Sequence, residues 1–188
     1  MLDLSAGYQD LRNVAQIHVV AVDNEVKEVL WVLDRSGKEV AQVTALNLTK
    51  KGKQSISFDW KEDGRVPTVF PKTYLYEPNA AIMKSNGFYA LYRQLGLSKL
   101  HTHSHLFTSE KLVDFPGRTF EIKENLEYSK ANLRKIKGTK ANITTRNFNE
   151  TVKELRRKWN LKEGGDLYIF FTTNQEDKKR ILICNKIS

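Results

Sequence analysis

One cysteine in 188 residues, four prolines, two methionines and no long apolar run set the first limits on this chain. A lone Cys184 rules out an internal disulfide, and its place in an apolar stretch near the end of the sequence predicts a buried thiol and a reducing, cytoplasmic setting. Nothing approaches the roughly 18 consecutive apolar residues that cross a bilayer, and residues 1–7 lack the basic start and apolar core of a secretion signal. Neither membrane insertion nor export is expected.

Several catalytic signatures are also missing. A class I methyltransferase presents a glycine-rich turn after its first strand, where bare backbone approaches S-adenosylmethionine, followed by an acidic residue for the ribose. The adjacent pair Gly164-Gly165 stands instead between a helical and a strand pattern, which reads as a helix-ending turn. Gly-x-Ser-x-Gly, a Walker-type phosphate loop and His-Glu-x-x-His are absent too, so no catalytic residue is assigned.

What is present is ordinary globular material, 40% hydrophobic and 28% charged, with positive charge unevenly placed. Of the net +9, residues 1–116 carry +1 and residues 117–188 carry +8. Within 129–162 eleven lysines and arginines face two acids, Glu150 and Glu154. A segment of that kind attracts polyanions.

The chain divides into three zones, 1–66, 67–116 and 117–188, of α+β character built from small mixed-sheet modules. In the first, residues 16–22 form a buried strand, and Asn24 is expected to cap a helix with Val26, Val29, Leu30 and Leu33 on one face. Strands follow over 39–48 and 54–60, joined by a turn at 50–53. These elements leave apolar surface uncovered, so self-association through an exposed edge is expected. In the second zone a helical stretch over 77–95 starts with Pro78 in its first turn, breaks at Asn86-Gly87 and ends at Gly96. A strand is predicted over 100–108.

The third zone reads β-α-β-α-β-β. A half-exposed strand over 118–124 leads to Ser129 as an N-cap, with Tyr128 and Leu133 as a hydrophobic staple and Gly138 as the stop. A strand over 140–145, a helix over 150–159 with Glu154 and Lys158 spaced to pair, and a hairpin of 167–173 with 180–187 complete it.

On a strand, His101, His103 and His105 would share one face but span about 13 Å, too far for one zinc, so no metal is assigned. His18 reads as a satisfied core residue. The stronger candidate is the passage from strand to helix at Thr144, Thr145, Arg146, Asn147 and Phe148, where hydroxyls, a guanidinium and unpaired amides converge on a phosphate. Lys137 and Lys140 are expected to touch phosphates together with Arg146 and Asn147, and Arg134, Arg156 and Arg157 would widen the patch into an RNA-binding surface. Phe148 is open to two roles, a core anchor or a platform for a base. The competing reading of the cluster is a solvated, solubilising face. A membrane partner is disfavoured, since no helix joins a basic face to a broad aromatic one.

The stretch 140–148 (KANITTRNF), with Pro116-Gly117-Arg118 before it and Glu163-Gly164-Gly165-Asp166 after, resembles the THUMP-like domain at the C-terminus of a family of bacterial class I S-adenosylmethionine-dependent methyltransferases. Residues 76–84 (YEPNAAIMK) resemble the ferredoxin-like segment before that domain. Residues 1–4, 17–22 and 24–30 resemble the close of its methyltransferase domain. The resemblance implies a Rossmann-like methyltransferase remnant at 1–66, a ferredoxin-like segment at 67–116 and a THUMP-like domain at 117–188. It further implies that S-adenosylmethionine belongs to the full-length family rather than to this chain, which lacks the donor loop and is not expected to act alone. The partners it implies are RNA, especially tRNA, and the chain's own upstream methyltransferase domain. A structural or protein-interaction module without nucleic-acid binding is the alternative.

Overall fold

The computed structural model describes residues 4–36 and 41–187. The first two residues of the strand expected over 39–48, and residues 1–3 of the opening, lie outside the described residues. The chain is α+β and forms two compact units. One runs to Val66 and takes in Pro78–Gly96 and Phe115–Gly117, and the other holds Pro67–Glu77, Leu97–Asp114 and the chain from Arg118.

The first unit opens with α1 (Leu4–Asp10), followed by β1 (Val14–Val22), β2 (Glu25–Leu33), β3 (Gln42–Thr49) and β4 (Gly52–Asp59). They form one mixed sheet in the order β2-β1-β3-β4, with β1 parallel to β3. The helix expected after Asn24 is therefore a strand. Asp23 and Asn24 both adopt positive φ, 48° and 65°, the pattern of a two-residue I′ turn that folds β2 back on β1. Val26, Val29 and Leu33 fit a helical spacing, but a β-branched run after such a turn pairs more readily than it coils. Asn47 secures the turn, its Oδ1 accepting from the Asn24 amide at 2.9 Å.

Alternation sends Ile17, Val19, Ala21, Val43 and Ala45 to the covered face, all with no exposed area. His18 takes the opposite face, where its Nε2 lies 3.0 Å from Gln16 Oε1, so it is not a core residue. Helices α2 (Ala80–Ser85) and α3 (Phe88–Leu95) belong to this unit, α2 packing on β1, β2 and β3 and α3 on β4. The break at Asn86-Gly87 and the stop at Gly96, φ 68°, are as expected. Pro78 lies outside the helix, because Asn79 is the N-cap and accepts from the Ile82 amide at 3.0 Å.

The second unit is a seven-stranded sheet. In chain order its strands are β5 (Tyr74–Pro78), β6 (Ser98–Lys99), β7 (Phe107–Ser109), β8 (Gly117–Glu127), β9 (Lys140–Arg146), β10 (Lys162–Thr173) and β11 (Lys179–Lys186). Their order in the sheet is β6-β7-β5-β8-β11-β10-β9. Helices α4 (Lys130–Ile136) and α5 (Val152–Trp159) complete the β-α-β-α-β-β series.

Strands β10 and β11 read as continuous apolar runs because both their faces are covered. Ile169, Phe171, Ile181 and Ile183 pack against Leu133, Ile136 and Leu155 of the helices. The alternate residues Phe170, Leu182 and Cys184 pack with Leu75, Leu100, Leu106 and Phe120 on the other face. Cys184 is the buried thiol expected, and burial holds its pKa well above the thiol range.

Ser129 caps α4, and a capping box at Thr151 and Glu154 starts α5. That box engages Glu154, so Lys158 pairs with Glu150 at 3.1 Å instead of with Glu154. Residues 163–166 are not a helix-ending turn. They lie within β10 as a bulge, the register with β9 shifting between Glu163 and Tyr168, and Gly164 and Gly165 take φ of 89° and 80°.

Candidate nucleic-acid interface

Two basic centres stand at opposite ends of β9. The first lies where β9 and β10 begin and α4 and α5 end. The backbone ties these four termini together: the Gly138 amide donates to Trp159 O at 3.2 Å, and the Lys162 amide to Thr139 O at 2.9 Å. In register Lys162 stands opposite Lys140. Arg134, Lys135, Lys137, Lys140, Arg157 and Lys162 are all exposed, and none forms an ion pair among the described residues. Arg134 and Lys135 occupy the last turn of α4, as Arg156 and Arg157 do in α5, where the negative end of each helix dipole favours cations. Lys140 lies along the bulge, and a Cβ at Gly164 would sit 3.3 Å from its Cε.

Arg156 serves a different purpose. Its Nη1 donates to Leu161 O at 3.3 Å and its Nη2 to Ala141 O at 3.1 Å, bracing the helix end against β9.

The second centre lies about 20 Å away, six residues along the strand at about 3.3 Å each. Here Arg146 donates through Nε and Nη2 to Glu77 Oε1, at 2.9 and 2.6 Å. Arg118 grips the other oxygen, Oε2, through its own Nε at 2.7 Å and Nη2. Glu77 is 3% exposed, whereas the arginine side chains keep 40% and 37% of their surface. One buried carboxylate thus holds two half-open guanidiniums, leaving a single net positive charge.

Around them lie Lys99, His101, His105 and Asn147. Lys99 Nζ donates to Thr102 O at 3.2 Å, and burial lowers its pKa. His101 Nδ1 lies 2.9 Å from Asn147 Nδ2 and accepts from the His103 amide at 3.1 Å, which leaves Nε2 to donate to Asp177 Oδ1 at 3.0 Å. His105 is pushed down to about 4, first by burial and then by the charges of Lys99, Arg146 and His103.

The expected convergence at 144–148 does not form. Strand β9 continues through Arg146, so alternation sends Thr145, opposite Phe171, toward the helical layer and Arg146, opposite Thr172, to the other face. Asn147 then turns away in the left-handed region at φ 51°. Phe148 is a core anchor, 5.0 Å from the ring of Tyr128 and 5.7 Å from that of Phe171. The histidines occupy a turn between β6 and β7 rather than a strand, bringing the rings of His101 and His103 to 5.5 Å. No group of three metal-ligating side chains occurs among the described residues, and no described helix is long and apolar enough to cross a membrane.

Of the predicted residues, the fold gathers Arg134, Lys137, Lys140 and Arg157 at one end and Arg146 with Asn147 at the other, while Arg156 and Thr145 are built into the framework. Glu77 and Arg118 escape a sequence reading, because no spacing rule joins positions 77, 118 and 146.

A seven-stranded sheet with this β-α-β-α-β-β half defines an α+β class of paired small modules. Residues 74–116 match the family model of a ferredoxin-like domain, and residues 117–186 match that of a THUMP-like domain. The two matched domains follow one another along the chain, in the order the resemblance implied. It is similar along its whole length, at 34% identity and a TM-score of 0.92, to a crystal structure described as a "putative methyltransferase" from Porphyromonas gingivalis W83. It spans 49% of that structure's chain. No curated protein matches it.

Proposed function

We propose that this chain is the RNA-contacting part of a class I S-adenosylmethionine-dependent methyltransferase, presenting RNA, and tRNA in particular, to a catalytic domain outside it. The observation that carries the reading is the exposed cation group at the start of β9 and β10, Lys137, Lys140, Lys162, Arg134, Lys135 and Arg157, none of which forms an ion pair among the described residues. Such a group suits the phosphate backbone, which supplies most of the affinity without reading sequence. The donor belongs elsewhere. Strand β1 ends in the two-residue Asp23-Asn24 turn rather than a glycine-rich turn into a helix, and the described residues do not fit S-adenosylmethionine at that place.

The test is tRNA binding at 50 and 200 mM salt. If three lysines each neutralise one phosphate, K137A/K140A/K162A removes roughly 20- to 40-fold of the salt-dependent loss across that range. R146A, whose guanidinium is engaged by Glu77, should change the slope little. A wild-type chain with salt-independent binding, or a triple variant with an unchanged slope, rejects the reading.

A second reading concerns protein contact. On the uncovered face of the first unit's sheet, Val22, Leu30, Val32 and Leu48 are 40%, 48%, 42% and 43% exposed. A face of this kind suits docking of the upstream methyltransferase domain or self-association. Light scattering of the chain separates the two, since only self-association gives a concentration-dependent mass.

A further inference from the structure

The Arg118–Glu77–Arg146 node carries more positive charge than a buried acid requires. One guanidinium can grip both oxygens of a carboxylate through its fork, which is enough to neutralise it. Here each oxygen of Glu77 takes a separate arginine, Arg146 on Oε1 and Arg118 on Oε2, and each arginine uses its Nε and one hydrogen of Nη2. A guanidinium has five N–H groups, so three on each arginine, two on Nη1 and one on Nη2, have no partner among the described residues. They are within reach of a ligand, since the two side chains keep 40% and 37% of their surface in solvent.

The spacing of the arginines narrows the ligand. Contacts to the two oxygens of one carboxylate hold the guanidinium carbons within about 9 Å of each other, a gap that a tetrahedral phosphate also bridges while accepting from both forks. Lys99 acts on His105 together with Arg146, so a third cation stands in the same group. Two carboxylates are tied to it. Glu77 is engaged by the arginines, and Asp177 accepts from His101 with 85% of its side chain in water, so the balance stays positive. A terminal phosphate monoester brings three acceptor oxygens and about 1.5–2 negative charges, which suits paired forks better than a backbone phosphodiester with two free oxygens and one charge.

We propose that Arg118 and Arg146, held ready by Glu77, form a binding site for a terminal phosphate monoester, carried by a free small molecule or by the end of an RNA. The site lies at the opposite end of β9 from the lysine group and does not rest on the RNA reading, since phosphate alone should bind. One net charge here moves the tRNA salt slope by at most about one phosphate, against three for the lysines.

The experiment is calorimetric titration of the full chain with inorganic phosphate at constant ionic strength, then with two oligoribonucleotides of one sequence bearing a 5′-phosphate or a 5′-hydroxyl. Phosphate should bind saturably at millimolar concentration or below. R146K keeps the charge but loses the fork, and should weaken phosphate about tenfold or more. A preference for the phosphorylated oligonucleotide that R146K abolishes assigns the ligand to an RNA end; equal binding of the two, with phosphate still bound, assigns it to a small molecule. In the wild-type chain, which keeps the test open if R146K folds poorly, bound phosphate should raise the His105 pKa in an NMR titration by offsetting Lys99 and Arg146. A purely structural node would leave His105 unmoved. Absence of saturable phosphate binding, an R146K affinity equal to wild type, or an affinity lost in K137A/K140A/K162A and kept in R146K overturns the proposal.

Discussion

The Arg118–Glu77–Arg146 node makes a sharp energetic prediction. Removing either arginine alone leaves Glu77, 3% exposed, still neutralised by the other. Hydrogen bonds to charged groups contribute about 1.5–3 kcal/mol each at most, and guanidiniums with 37–40% of their surface in solvent recover part of that as hydration. R118A and R146A should therefore each cost about 1–2 kcal/mol, the former slightly more because Arg118 also lies 5.6 Å over the Phe120 ring. Removing both strands an ionised carboxylate in the interior, where breaking a buried pair costs about 3–5 kcal/mol, on top of the lost contacts. The double variant should exceed the sum of the singles by about 1 kcal/mol or more. Denaturant unfolding followed by Trp159 fluorescence in a W31F/W60F background reports on the second unit alone. Strict additivity, with the double variant costing no more than the sum of the two singles, would refute the idea that one buried carboxylate organises both arginines.

Other outcomes follow from the same geometry. His105 is held at about 4, below its unfolded value of about 6.5, by burial first and then by Lys99, Arg146 and His103. The unfolded chain therefore takes up the proton first, and stability contributed by the neutral ring is full above about 6.5 and declines as pH falls toward 4. H105N, which tolerates the left-handed φ of 52°, should flatten that decline, and R146A should raise the His105 pKa in an NMR titration. T151A removes the cap of α5 and should cost about 1 kcal/mol by denaturant unfolding. The Glu154 carboxyl is held low chiefly by hydrogen bonds from the Thr151 amide and hydroxyl, so T151A should also move it upward. Cys184, fully buried, should resist a thiol reagent in native buffer and react promptly in denaturant; rapid native labelling would contradict its packing.

Local chemistry was enough to read the order of elements from 117 onward, though not the bulge at 163–166. Ser129 and Gly138 bracket α4 because a side-chain acceptor and a residue tolerant of positive φ satisfy a helix's unpaired ends wherever they stand. The apolar runs of β10 and β11, the break at Asn86 and the excess of cations after 116 were legible for the same reason: each depends on neighbours within a few positions. Residues 25–33 show where this fails. Their apolar spacing suits a helix and a strand about equally, and the decision came from Asp23 and Asn24 turning the chain so that β2 could hydrogen-bond to β1.

The site needed the tertiary structure throughout. That Arg146 is engaged rather than free depends on Glu77, 69 residues earlier, arriving from β5. That Thr145 and Arg146 part company depends on β9 extending one residue further than its composition announced. Sequence by itself determined how many cations this region carries. Whether each one faces water, a helix end or a buried carboxylate was decided by the sheet, because the energy of a charge is set by what surrounds it in space and not by its neighbours along the chain.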